Sequence, residues 1–257
     1  MNEQIHSKSE NRKALPKFAM TMVGSLLVGG FVGFLVGMTH VLGLDPAALT
    51  EKIGAALEAM LPWAIPVSSV LILGATFLLY RSAAKKYAAW NGGDEDAISE
   101  SVEEALSWSM LLSAVQLLIN FFFMAALAAK GLGIGSLWIV GEFMVSCGLV
   151  IFAQQKAVDL ERKMNPEKHG SVYDSKFQKK WLESCDESER RQIGEASYRA
   201  YMVTTRLCLG LWLVLVVLSM VVEMSLLPVF ILLVVWGTMQ VTYALESIRL
   251  GKHSKSV

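Results

Sequence analysis

Apolar residues in this chain gather into long runs, and charged residues gather between them. A helix crosses the hydrocarbon core of a bilayer with about 20 apolar residues. Six runs reach that length, at residues 18–40, 61–80, 106–129, 134–153, 207–222 and 226–245. Glu142 interrupts the fourth. A few residues around Glu223 separate the fifth from the sixth, and Pro228 stands where the first turn of a helix accepts a proline. The pattern predicts an all-α polytopic membrane protein, a single membrane domain over residues 1–257. Its six transmembrane helices form three hairpins with cytosolic helical extensions, and residues 154–206 form a cytosolic helical loop. Basic residues precede the first run as they do in a signal peptide. That run is about twice the length of a signal core, and no small-x-small cleavage site closes it, so it reads as a retained helix.

Composition agrees with a membrane class: 54% of the 257 residues are hydrophobic. Lysine and arginine equal aspartate and glutamate at 23 each, which gives no reason to expect nucleic acid as a partner. Orientation follows from the basic residues. With six spans and the N-terminus inside, 21 of the 23 lysines and arginines fall on the cytosolic side. Only Lys52 and Lys130 fall outside. The expected location is the cytoplasmic membrane, with both termini cytosolic and very little chain exposed outside. The exterior comprises the Gly-rich turn around Gly131, Gly133 and Gly135, the turn at Glu223, and a short surface helix. That helix starts at Asp45-Pro46, and Leu49, Ile53, Leu57 and Met60 line its apolar face.

Few polar residues interrupt the spans. A carboxyl such as Glu142 in mid-span is costly and faces the bundle interior. In the third span Ser109, Ser113, Gln116 and Asn120 share one helix face. Folding spans three and four about Gly131 sets Asn120 level with Glu142 and Gln116 level with Ser146. The cluster Glu142, Asn120, Gln116 and Ser146 reads either as interhelical hydrogen bonding that holds the hairpin or as a protonatable ion or substrate site. In the first span Ser25, Gly29, Gly33 and Gly37 recur every four residues. Gly29, Gly33 and Gly37 form a small-residue packing seam, against another span or a second copy.

Long helices are expected to run without a break into spans three and five, because acidic caps stand well upstream of each. Asp186 with Glu189 has the spacing of a capping box. Asn165-Pro166 should end the helix leaving span four. Ser171 with Asp174 also has capping-box spacing, which predicts a helix carrying Tyr173, Phe177, Trp181 and Cys185 at four-residue steps. Tyr173, Phe177 and Trp181 are thus a candidate cytosolic docking face for a protein partner or the membrane surface, or else an internal packing stripe.

The loop also carries Asn165-Pro166-Glu167-Lys168, Gly170-Ser171-Val172-Tyr173-Asp174, Phe177-Gln178-Lys179-Lys180-Trp181, Cys185-Asp186-Glu187 and Ala196-Ser197-Tyr198. In these segments the chain resembles a family of multi-pass membrane proteins of unknown function, found mainly in Gram-positive bacteria. The resemblance implies a bacterial cytoplasmic membrane and transfers no catalytic or binding residue.

No His-Glu-x-x-His, Gly-x-Ser-x-Gly or Walker motif occurs. Cys147, Cys185 and Cys208 stand far apart, and the four histidines are not spaced as metal ligands. The expectation is a non-enzymatic accessory or regulatory component without cofactor or metal. It would have the bilayer and a membrane or cytosolic protein as partners. The alternative is a small secondary transporter that uses Glu142.

Overall fold

The computed structural model describes residues 46–90, 95–131, 136–221 and 225–253, with single positions between Pro16 and Met38. Among the described residues there are seven α-helices, one π-helical turn and no strand. In chain order they are α1 (Pro46–Ser68), the π turn (Ser69–Leu73), α2 (Gly74–Ala88), α3 (Glu95–Lys130), α4 (Leu137–Met164), α5 (Phe177–Glu183), α6 (Glu187–Val221) and α7 (Leu227–His253). Five segments are long and apolar enough to cross a membrane: Glu51–Ala88, Ile98–Lys130, Leu137–Met164, Glu187–Ser219 and Leu227–Gly251. They coincide with the second to sixth expected spans. Only scattered positions of the first expected span are described, and Gly29, Gly33 and Gly37 lie outside them, as does Glu223.

The helix boundaries follow local chemistry. Gly131, at φ +100°, closes α3 with its N–H on the Ala128 carbonyl, a left-handed cap that glycine adopts without strain. Asn165, held extended by the following proline, ends α4. The Asp186–Glu189 capping box is present. The Asp186 N–H donates to Glu189 Oε2 at 3.0 Å, and the Glu189 N–H donates to Asp186 Oδ1 at 2.7 Å. As expected, α3 and α6 are single helices of 36 and 35 residues that start at acidic positions upstream of their apolar stretches.

One expectation fails. The segment after Asp45-Pro46 is not a separate surface helix, because α1 runs unbroken from Pro46 into the second span. No breaker separates the two parts, and Leu57 packs beside Leu61, Ile65, Phe123, Leu127 and Ile139. Glu58 also pairs with Lys130 at 3.0 Å. Leu57 of the amphipathic face therefore packs into the bundle, while Ile53 and Met60 remain exposed. Pro62 and Pro66 lie inside α1, where each removes an N–H from the helical ladder. The π turn follows directly, an adjustment of the kind that re-satisfies backbone groups freed by proline.

The chain divides into two compact units, residues 52–196 and residues 1–51 with 197–257. In the first, α1–α2, α3 and α4 pack as a three-helix bundle with a layered interior. An apolar cluster around Leu61, Phe123 and Ile139 fills one end. A second, around Ala83, Val102, Leu106, Ala157 and Leu160, fills the other. Arg81, Lys85, Lys86, Lys156, Arg162 and Lys163 belong to the second end, hereafter the basic end. In the other unit, Tyr201 stacks on Tyr243 at 4.6 Å and donates a hydrogen bond to Gln240 Oε1 at 2.6 Å, joining α6 to α7.

Candidate functional site

Between the two apolar clusters lies a polar layer. Gln116 and Asn120 of α3 are fully buried, and Ser146 of α4 is nearly so. Gln116 Nε2 donates to Asn120 Oδ1 at 2.8 Å and reaches the hydroxyls of Ser68 and Ser69 at 3.0 and 3.1 Å. Asn120 Nδ2 donates to Ser146 Oγ at 2.8 Å, and the hydroxyls of Ser146 and Ser69 lie 2.7 Å apart. One turn closer to the basic end, Gln154 Nε2 donates to Ser113 Oγ at 3.1 Å. Every residue of the layer is neutral. Side-chain amides and hydroxyls satisfy one another across three helices, and the small serines let the backbones approach. One acceptor is left over: Gln116 Oε1 is buried without a hydrogen-bond partner.

The structure thus brings Gln116, Asn120 and Ser146 together and leaves Glu142 out. The expected register set Asn120 opposite Glu142; the observed bond runs from Asn120 to Ser146, one helical turn further along α4. The correction has a geometric cause. α3 continues to Lys130 and α4 begins only at Leu137, so the hairpin folds beyond Gly131. Glu142 is half-buried, and its Oε2 has no hydrogen-bond partner. Sequence reasoning also missed Ser68 and Ser69. Their signal was a pair of adjacent hydroxyls in an apolar span just after two prolines. Bonding of both to one Gln116 nitrogen depends on the widened π turn, which a period-3.6 reading does not anticipate.

The second candidate region is the loop from Asn165 to Asp186, which is cross-linked throughout. Asn165 Nδ2 donates to Glu161 Oε1 at 2.8 Å. Gln155, buried on α4, accepts from the Ser171 hydroxyl at 2.9 Å and the Val172 N–H at 2.8 Å. Lys168 is buried; it pairs with Glu189, lies 3.6 Å from Cys185 Sγ, and stands 5.8 Å over the Trp181 ring. Burial alone would pull the Lys168 ammonium down. The hydrogen bond and charge of Glu189, with the Cys185 sulfur, outweigh it and hold the lysine above its ordinary value. Asp174 accepts from the Lys176 N–H at 2.9 Å and from Lys180 Nζ at 2.5 Å, which holds its carboxyl below the usual range.

This geometry corrects the aromatic stripe. Ser171 does not cap a helix: its hydroxyl donates to Gln155 Oε1, its oxygen accepts from the Tyr173 N–H within a turn, and α5 begins only at Phe177. Tyr173 stands in the preceding turn, 67% exposed, off the face shared by Phe177 and Trp181. Cys185 lies beyond the end of α5 and is buried. Phe177 and Trp181 do pair, with ring centroids 5.6 Å apart. Both line a cleft of about 480 Å³ between α5 and the basic ends of α3 and α4, with Leu106, Met110, Ala157 and Val158 as its apolar wall and Glu103 and Glu161 also on its lining. Gly170, at φ +136°, passes so close to Phe177 that a Cβ would meet its ring carbon at 2.8 Å.

Among the described residues the fold is all-helical, and five helical segments long and apolar enough to cross a bilayer are compatible with a multi-pass membrane protein. Within that class, it belongs to the family described as protein of unknown function DUF3169, whose model matches residues 17–247. The chain matches no curated protein and no solved structure.

Proposed function

We propose that this protein is a non-enzymatic accessory or regulatory component of the cytoplasmic membrane, with six spans in three hairpins and both termini in the cytosol. It acts by contact between its cytosolic loop and a protein partner. The observation that carries this reading is the cleft bearing Phe177 and Trp181. The cleft opens on a loop whose Lys168–Glu189, Ser171–Gln155 and Asp174–Lys180 bonds hold the two rings in place. A pre-ordered aromatic pair beside an apolar hollow is a surface that binds without first paying ordering entropy.

A second reading is favoured by one observation, the buried and unpartnered Oε2 of Glu142 within a candidate span. In that reading Glu142 serves a small secondary transporter. One comparison separates the two. Cross-linked partners are to be recovered from native membranes with wild type, Phe177→Ala, Trp181→Ala and Glu142→Gln. Loss of a specific partner in the two aromatic variants, with Glu142→Gln unaffected, supports contact through the loop. A proton- or solute-dependent flux in proteoliposomes that only Glu142→Gln abolishes supports transport instead.

A further inference from the structure

A second hollow, separate from the cleft beside α5, points to a lipid. On the flank of the bundle, Leu73, Phe77 and Tyr80 of the π turn and α2 face Phe152, Ala153 and Lys156 of α4 across a groove of about 350 Å³. Thr76, at its floor, turns its hydroxyl back to the Ile72 carbonyl at 2.9 Å and is buried, so it offers the groove no free polar group. The walls run along the helices from Leu73 to Tyr80, roughly 10 Å at 1.5 Å per residue. That is the length of an acyl-chain segment lying parallel to a span.

The chemistry changes at one end only. Lys156 stands at the basic end of the groove, its Nζ 5.4 Å from the centre of the Phe152 ring, and among the described residues no carboxylate pairs with it. Tyr80 brings a phenol to the same level. The apolar runs of the second and fourth spans end at Tyr80 and Ala153, which sets this end at the depth of the headgroups.

We propose that the groove is a site for an anionic phospholipid of the inner leaflet. One acyl chain lies between α2 and α4, and the phosphate sits on the Lys156 ammonium within reach of the Tyr80 hydroxyl. A basic side chain at the mouth of an interhelical groove on the cytoplasmic side recognises acidic headgroups, and an apolar floor leaves the headgroup as the only polar attachment.

The test uses the full-length protein in nanodiscs of equal parts phosphatidylglycerol and phosphatidylcholine with matched chains. Lipid retained after delipidating washes is counted by native mass spectrometry. Wild type is expected to keep phosphatidylglycerol over phosphatidylcholine by about fivefold, the discrimination expected of one basic residue near the surface. Lys156→Gln should abolish that preference and Lys156→Arg should retain it. Lys156 is exposed, so neither substitution threatens the fold. Soluble glycerol phosphate should not displace the lipid. Equal retention of the two lipids by wild type, an unchanged preference in Lys156→Gln, or displacement by glycerol phosphate would each overturn the proposal.

Discussion

Single residues in the loop carry roles that their neighbours cannot replace. Gly170 combines a left-handed φ with a close approach to Phe177. Gly170→Ala should therefore destabilise the loop by about 1 kcal/mol or more, read as faster limited proteolysis between Asn165 and Asp186. Lys168→Met removes the partner of Glu189. The expected cost is on the order of 1–3 kcal/mol, below that of a fully buried pair because Glu189 is 37% exposed. The pH response has two limbs. Lys168 is raised in the folded protein, so its contribution is fully present below the unfolded value of about 10.4 and is lost as pH rises through the folded one. Asp174 is lowered, so its contribution is present above about 3.9 and is lost as pH falls through its folded value. Protection of the loop from protease should thus form a plateau across neutral pH. Lys168→Met should remove only the alkaline limb, and a loss of protection near pH 7 would contradict the assignment.

At the scale of elements, the polar layer joins α1 and its π turn to α3 and α4. Interhelical hydrogen bonds in membranes average about 0.6 kcal/mol each, so Asn120→Leu should cost on the order of 1–2 kcal/mol in unfolding from mixed micelles. A double-mutant cycle of Asn120→Ala with Ser146→Ala should give a coupling of about 0.6 kcal/mol. The same cycle between Asn120 and Glu142 should give none, since no hydrogen bond joins them. A sizeable coupling there would restore the register read from Gly131. This contrast marks what was legible in the sequence. The three- and four-residue steps of Ser109, Ser113, Gln116 and Asn120 identified the buried face of α3 correctly, because helical periodicity fixes which residues share a face. They did not identify the partners, because the depth match depends on where α3 stops and α4 starts. Likewise the loop's motif residues stood out in the sequence. Gln155, which accepts from the Ser171 hydroxyl, lies 16 residues upstream and gives no local sign.

For the whole molecule, the basic residues make one topological prediction. In a variant lacking Cys147, Cys185 and Cys208, a cysteine at exposed Tyr173 should resist an impermeant maleimide on intact cells and react after permeabilisation. A cysteine at Lys130 should react in both. Labelling of the Tyr173 site on intact cells would place the cross-linked loop outside and remove the protein partner proposed for it from the cytosol. The five candidate spans agree with the hydropathy of the chain, and within residues 52–196 the three formed by α1–α2, α3 and α4 share a layered interior. Apolar clusters on either side enclose the buried polar layer of Gln116, Asn120 and Ser146.

What the sequence determined by itself was everything that depends on local or additive chemistry. Apolar length set the helical kind of the elements and the places of five long apolar segments, proline and glycine set their ends at Asn165 and Gly131, and the Asp186–Glu189 spacing set a cap. Tertiary structure alone decided which polar groups meet. Whether Asn120 faces Glu142 or Ser146, whether Ser171 meets Gln155, and whether Lys156 stands at the mouth of a groove all depend on the relative depth of separate helices. One helical turn of displacement, about 5.4 Å, exchanges one partner for another while leaving every local pattern in the chain unchanged.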